Sequence, residues 1–293
     1  MGTDSVPDKN YSFELFPPKT ATGLENLQAN VARMRLVEPG FFSVTYGAGG
    51  STQERSFDTV DWLRSQEIDT APHLSCIGSS TGEIRDILRR YMKQGIRRIV
   101  ALRGDLPSGM GLGGAGELRY ANELVEFIRT ETGDHFHIEV AAYPEFHPQA
   151  RNAQADLDNF KRKVGAGANA AITQYFYSAH AYYAFLDSCQ KLGIHIPIVP
   201  GIMPITNYTS LARFSDACGA EIPRWVRKRL ESYGDDRESI RAFGHEVVLD
   251  LCRRLLEHDA PGLHFYTMNQ AAPSLRLWRD LDLPGAERIE AGT

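Results

Sequence analysis

Arg103-Gly104-Asp105 puts a cation, a glycine and a carboxylate at the end of the apolar run Val100-Ala101-Leu102. Such a run has the pattern of a buried strand. In a barrel of parallel strands, residues just past the C-terminal strand ends face the active site. There this triplet would supply a fixed cation, a close backbone approach and a fixed anion. Glu14 ends a second run, among Phe13, Leu15 and Phe16. Apolar surroundings disfavour an ionised carboxylate and raise its pKa. A carboxyl still protonated near neutral pH can serve as a general acid. A solvated glutamate on a sheet edge is the alternative, but a barrel leaves the first strand no edge. The same grammar recurs at Ser43-Val44-Thr45, Ala141-Ala142-Tyr143 and Ile172-Thr173-Gln174.

Asp156, Asn159 and Lys163 are spaced three and four apart, so they share one side of a helix. An anion, an amide and a cation on one side could hold the sugar and phosphates of a nucleotide. A solvated face is the commoner reading of a basic cluster such as Lys161-Arg162-Lys163. His73 and His147 could act as ligands or bases, although lone histidines are more often structural, and no metal site is expected. Gly111 to Gly116 matches GxGxxG by letter but starts well beyond the end of its strand. A dinucleotide fingerprint must begin at the strand end, so a loop over the barrel mouth is the better reading. Gly47-Ala48-Gly49-Gly50-Ser51 follows a strand directly and opens a helix. Its backbone could approach a ligand closely, or it is a simple turn.

Positioning these groups requires strands that end at one face. Periodicity predicts strands over Tyr11–Leu15, Phe41–Thr45, Thr70–Cys76, Arg97–Leu102, His137–Ala142, Asn169–Gln174, Ile196–Gly201 and Leu263–Tyr266. Between them it predicts helices over Thr22–Val37, Ser51–Gln66, Thr81–Gln94, Glu117–Thr130, Asn152–Ala166 and Ala179–Leu192. A longer helical region over 207–258 and a closing helix Pro273–Leu281 complete the pattern. Repeated strand–helix units imply a parallel sheet with right-handed crossovers. Eight such units fit a (β/α)8 TIM barrel of the α/β class. A doubly wound open sheet would carry a phosphate loop after its first strand. Leu15-Phe16-Pro17-Pro18 stands there instead, without glycine and with two residues lacking an N–H.

The 293 residues are read as one catalytic domain, with a polar tail over 1–10 and a C-terminal tail over about 284–293. Lys and Arg number 32 against 37 Asp and Glu, a net charge of −5 with the signs mixed. That balance gives no nucleic-acid or membrane signature. No apolar run approaches the roughly 20 residues of a membrane span. The start of the chain lacks the apolar core of a signal peptide. Cys76, Cys189, Cys218 and Cys252 form neither a CxxC pair nor a zinc spacing. Reduced, mostly buried thiols in a cytoplasmic protein are expected.

Ser12-Phe13-Glu14-Leu15-Phe16-Pro17-Pro18-Lys19, Ser43-Val44-Thr45-Tyr46-Gly47-Ala48, Ala71-Pro72-His73-Leu74, Val100 to Asp105 and Ala141 to Glu145 occur in that order. Ala153 to Leu157, Ala171 to Gln174, Pro200-Gly201-Ile202-Met203-Pro204 and His264-Phe265-Tyr266-Thr267 follow. Together they resemble methylenetetrahydrofolate reductase, in its bacterial form of a catalytic barrel alone, from about residue 11 to about residue 280. The resemblance implies a barrel binding FAD at its C-terminal face. It implies reduction of 5,10-methylenetetrahydrofolate to 5-methyltetrahydrofolate. NAD(P)H would reduce the flavin first, in a ping-pong cycle that supplies methyl groups for methionine synthesis.

The same resemblance assigns residues. Glu14 falls on the acid that helps open the folate five-membered ring. Asp105 falls on a catalytic position that touches both pterin and flavin. Gln174, Phe214 and Gln270 fall on the substrate side. Thr45, Tyr46, Ala48 and His73 fall on flavin-contacting positions. So do Arg103, Gly104, Tyr120, Ala121, Tyr143, His147 and Ala150, and, on one helix, Asp156, Asn159, Arg162 and Lys163. Gln270 stands where the best-known bacterial pattern has an arginine, and Ser210 where it has a longer amide. Both departures touch the folate side. Small-molecule substrates are the expected partners, and a homo-oligomer is expected. The competing readings are a folate-binding accessory protein without redox chemistry and a flavin-free NAD(P)H–folate reductase.

Overall fold

Successive residues of a strand point to opposite faces, and in this chain the two faces differ in kind. A computed structural model describes residues 9–46, 51–104 and 116–291. Its elements run β1 (Asn10–Leu15), α1 (Ala21–Met34), β2 (Phe41–Val44), α2 (Ser51–Ser65), β3 (Thr70–Ser75), α3 (Thr81–Lys93) and β4 (Arg98–Leu102). There follow α4 (Ala121–Thr132), β5 (His137–Ala142), α5 (Ala153–Gly165), β6 (Ala170–Thr173), α6 (Ala179–Lys191), β7 (Ile198–Val199) and β8 (Gly201–Ile202). The chain continues through α7 (Tyr208–Cys218), α8 (Arg224–Ser232), α9 (Arg237–Glu257), β9 (Gly262–Tyr266), α10 (Ala271–Asp280) and α11 (Glu287–Ala291).

The strands pair in parallel in the order β7-β6-β5-β4-β3-β2-β1-β9-β8. Because β7 and β8 are consecutive in the chain, the order describes a barrel. Eight strands were expected and nine segments are found. Pro200 interrupts the expected strand Ile196–Gly201, since it has no N–H to give to a ladder. Ile198 and Val199 pair with β6, while Gly201 and Ile202 pair with β9. The interrupted strand therefore joins the two sides of the barrel.

Phe13, Leu15, Phe42, Val44, Leu74, Ile99, Val140 and Phe265 belong to the large core between the strands and the helices. Phe41, Ala71, Val100 and Ile172 form a separate apolar cluster. The register places Ser12 beside Phe41 and His264, Ser43 beside Ala71, and His73 beside Val100. That second face is the barrel lumen, and it carries the polar groups. At its lower end the guanidinium of Arg98 pairs with the buried Glu139 and lies over the Phe41 ring, 4.7 Å from its centroid.

Boundaries depart from the expectation where side chains take over backbone groups. Helix α4 begins at Ala121 rather than at Glu117. The Glu123 carboxylate accepts from the N–H groups of Arg119 and Tyr120, which stops the helix there. Glu117 instead caps α3 by accepting from Thr81 N at 3.1 Å. The expected C-terminal tail contains α11. Leu283 and Ala286 are buried, and Trp278 Nε1 donates to Pro284 O, so this segment packs onto the barrel. Cys76, Cys189 and Cys252 are buried thiols, and Cys218 is partly buried. Among the described residues no helix is long and apolar enough to cross a membrane.

Gly201 sits at the closure. A Cβ there would lie 2.2 Å from Thr173 O and 2.5 Å from Cε2 of Tyr266. Gly201 N donates to Thr173 Oγ1, and the Tyr266 hydroxyl donates to Thr173 O. Gly201→Ala should therefore destabilise the protein by about 2 kcal/mol or more, as overpacking at a rigid site does. The urea unfolding midpoint will check this, and an unchanged midpoint would mean the seam is pliant.

Candidate functional site

Every strand ends at one rim, and two contiguous cavities open there. The central one, about 470 Å³, has Glu14, His73, His264 and Tyr266 at its base. Gln174, Met203, Phe214 and Met268 line it higher up. Glu14 ends β1 and His73 stands on β3, with Glu14 Oε2 3.6 Å from His73 Nε2. His264 on β9 brings its Nε2 to 4.0 Å from the same oxygen. The Glu14 side chain lines this cavity and keeps 22 % of its surface exposed.

Burial pushes the Glu14 carboxyl up to about 8. Burial also pushes His73 down to about 4 and, with some help from His73, His264 down to about 3. Each shift disfavours the charged form in surroundings that hydrate it poorly. At neutral pH the base of the cavity thus holds an uncharged acid between two uncharged imidazoles. Tyr266 is raised well above its ordinary value, first by burial and then by the Glu14 charge.

The second cavity, about 330 Å³, shares Leu102, Ala141, Tyr143, His147 and Gln149 with the first. Arg103, Gly104, Tyr120, Ala121, Ala150, Asp156, Asn159 and Lys163 also line it. Most of the expected flavin positions thus meet in one place. Gly104 has φ +88°, and a Cβ there would strike Ser75 Oγ at 1.9 Å, so only glycine suits this strand end. Asn152 caps α5 by accepting from Ala155 N, and this helix carries Asp156, Asn159 and Lys163 to the wall. Asp156 accepts from His147 N at 2.9 Å. Lys163 donates to Ala141 O. Burial pushes its ammonium down to about 8, against the opposing pull of Asp156.

Other expected site residues lie elsewhere. His73 belongs to the central cavity. Thr45 and Tyr46 line neither cavity; Thr45 O accepts from Ser56 Oγ, and the Tyr46 hydroxyl accepts from Gln53. Arg162 is exposed and does not line the second cavity, but donates to Oδ1 of Asn159 on its wall. Gln270 borders a third cavity of about 390 Å³, with Asn30, Arg241 and Arg276. Asp105 and Ala48, and most of both glycine-rich stretches, lie outside the described residues. His135-Phe136-His137 has an HxH spacing, but the two rings have different partners: His135 Nε2 contacts Ile96 O and His137 Nε2 lies 3.4 Å from Glu139. Among the described residues no group of three or more His, Cys, Asp or Glu could hold a metal ion.

The sequence reading did not single out Ser12, Ser43, His264, Tyr266 or Gln149. Ser12 and Glu14, like His264 and Tyr266, stand two apart on adjacent strands. That alternation of polar residues within apolar strands was the available signal. Gln149 accepts from Arg103 and holds its guanidinium at the cavity wall.

A family profile described as methylenetetrahydrofolate reductase matches residues 4–282. The 5,10-methylenetetrahydrofolate reductase of Escherichia coli K12 is 41% identical over 278 residues, 94% of this chain and 92% of that protein. The protein of the same name from Pectobacterium carotovorum is 40% identical over 273 residues, 93% of this chain and 90% of that one. A probable methylenetetrahydrofolate reductase (NADH) of rice is 37% identical, covering 95% of this chain but 49% of that protein. Among solved structures, an uncharacterized protein from Clostridium thermocellum that binds two copies of 5-methyl-5,6,7,8-tetrahydrofolic acid superposes with a TM-score of 0.67. It is 15% identical and covers 97% of this chain and 96% of that one, a likeness of fold.

The proton on Glu14 has a consequence for stability. Its folded pKa of about 8 lies above the ordinary 4.5, so between these values the folded state binds the extra proton. Stability from this group falls as pH rises through that window. His73 and His264 act oppositely, but only below 6.5, where the unfolded chain protonates them. From pH 6.5 to 8 the Glu14 contribution should therefore stand out, at most about 2 kcal/mol. Urea unfolding should show wild-type stability declining relative to Glu14→Gln across that range. Parallel curves would mean Glu14 is already ionised at pH 6.5.

Proposed function

The chain belongs to the methylenetetrahydrofolate reductase family, and we propose that it reduces 5,10-methylenetetrahydrofolate to 5-methyltetrahydrofolate with NAD(P)H and a bound FAD. The observation that carries this reading is Glu14, an uncharged acid at the base of a cavity that joins a cation-lined one. Breaking the bond between the methylene carbon and its amine leaving group needs a proton on the departing nitrogen. Glu14 holds such a proton near neutral pH and faces the space where the pterin would lie. General acid catalysis of this kind contributes about 10²–10⁴-fold.

The second cavity suits a flavin nucleotide. Lys163 is an ammonium partly stripped of water, a state that an anionic ligand relieves. Arg103, held by Gln149, adds a second cation, and the Gly104 backbone leaves room for close approach. FAD bound here would supply the hydride-carrying chemistry. Tyr143 and His147, whose rings lie 4.7 Å apart, stand at the junction of the two cavities, where the ring system would meet the substrate. Gln174 and Phe214 would orient the pterin. Asp105 keeps, on the resemblance alone, the role of steadying positive charge on the opened substrate. A central cavity of about 470 Å³ fits one ring system beside the flavin at a time, which favours alternating use by NAD(P)H and folate. The product is a methyl donor suited to methionine synthesis.

Two measurements test this. In anaerobic stopped flow, Glu14→Gln should keep flavin reduction by NAD(P)H within a few-fold of wild type and lose about 10²–10⁴-fold in folate reduction. Equal impairment of both half-reactions would remove Glu14 as the acid, and a colourless purified protein would favour flavin-free chemistry. Lys163→Met should weaken FAD binding by about tenfold or more, the worth of a charge-assisted contact. Wild-type affinity should fall as pH rises through about 8, where the free ammonium loses its proton. The variant should lack that fall; an equal fall in both would return Lys163 to a structural role.

A further inference from the structure

Helix α7 forms part of the wall of the central cavity through Phe214, Ala217 and Cys218. Yet of its 11 residues only Leu211 and Ser215 are buried. A helix that buries so little of itself is held weakly by packing. Its position beside the cavity therefore depends on bonds at its ends. At its start Asn207 accepts from Ser210 N. In its last turns the Tyr175 hydroxyl lies 3.1 Å from Ser215 Oγ and 3.4 Å from Cys218 Sγ.

A third attachment comes from the turn that follows β5. Glu145 Oε2 accepts from Glu221 N at 2.7 Å, across 76 residues of sequence. A backbone N–H only donates, so the direction of this bond is fixed. Beside it Gly219, which ends α7, packs on Pro148: a Cβ there would lie 3.0 Å from Pro148 Cγ. A void of about 10 Å³ lies between residues 143–146 and 218–220. The same turn has separate anchors on the side of the second cavity. His147 N donates to Asp156, Gln149 Oε1 accepts from Arg103, and Gln149 N donates to His147 Nδ1.

We infer that Glu145 is a positioning residue for the substrate: it fixes the end of α7 to the turn that divides the two cavities, and so holds Phe214 where the pterin would lie. This rests on the reading of the central cavity as the folate site. Glu145 lines neither of the two cavities, so it acts only through α7. Without its bond to Glu221, α7 stays tied through Asn207 and Tyr175 while its last turn gains freedom. Only molecules with that turn in place then bind the ligand, and the apparent affinity falls by the fraction they represent. The second cavity keeps its own anchors, so flavin affinity should not follow.

The test compares Glu145→Ala with Glu145→Gln, which keeps an acceptor oxygen. In calorimetric titration of the flavin-loaded protein with 5-methyltetrahydrofolate, Glu145→Ala should bind about tenfold more weakly, the worth of a hydrogen bond to a charged group. Glu145→Gln should stay within about threefold of wild type, and both variants should hold FAD within about threefold. Hydrogen exchange should quicken at the last turn of α7 and at the Glu221 amide in Glu145→Ala, with the strands unchanged. Wild-type folate affinity in Glu145→Ala overturns the inference, as does an equal loss in Glu145→Gln or an equal loss of folate and FAD affinity. A wild type that binds no 5-methyltetrahydrofolate overturns the proposed function instead. The exchange rates then still decide the inference, since unchanged protection of α7 in Glu145→Ala overturns it. If Glu145→Ala does not fold, Glu145→Asp, whose shorter side chain withdraws the acceptor, is read in its place.

Discussion

A carboxyl group buried without a counter-charge is costly to ionise, and the centre of this barrel is organised around one. Glu14 has no cation within its reach among the described residues; burial alone accounts for its displacement to about 8. The imidazoles that approach it are themselves too poorly hydrated to become cations. The three groups stabilise one another's neutrality. Protonating either ring would draw the proton off Glu14, and ionising Glu14 would invite a proton onto a ring. The lumen beneath supports the arrangement, because Arg98 and Glu139 cancel each other and the Phe41 ring separates them from His264.

Cations are kept to the neighbouring cavity. Arg103 ends β4 and Lys163 stands on α5, both on the wall away from the Glu14 base. Were either beside Glu14, the carboxyl would ionise and its use as an acid at neutral pH would be lost. The two cavities thus divide the electrostatic work. One wall is dry and uncharged where a proton must be held, and the other is cationic where an anionic ligand would dock. The shared residues Tyr143 and His147 mark the border between them.

Much of this arrangement could be read from the chain before any coordinates. Strand–helix alternation led to the barrel, and polar groups at strand ends led to Glu14, Gln174 and Arg103. Spacing of three and four put Asp156, Asn159 and Lys163 on one side of α5, where they line one cavity. Spacing could not say whether that side meets a cavity or solvent, nor that Arg162, absent from the lining, would reach the cavity wall through Asn159. The split at Pro200 and the late start of α4 depend on bonds between distant segments, such as Glu117 with Thr81, which local patterns do not carry. Gln270 borders a cavity apart from the central one, as only the packing of α1, α9 and α10 could show.

The sequence by itself determined which residues alternate. Ser12 and Glu14 must share one face of β1, and His264 and Tyr266 one face of β9, because a strand turns its side chains over every second residue. It also determined that these faces are exceptional, being polar within apolar strands. Only the tertiary structure decided which face is the lumen and at what height each residue stands. Register is set between strands far apart in the chain, and a slip of one residue would turn Glu14 out toward the helices. The observed register sets Ser12 against His264 across 252 residues of sequence, and barrel closure brings His73 to the same carboxyl oxygen. Burial, and with it the protonation state of all three, follows from that closure, because desolvation is a property of the surroundings rather than of the residue.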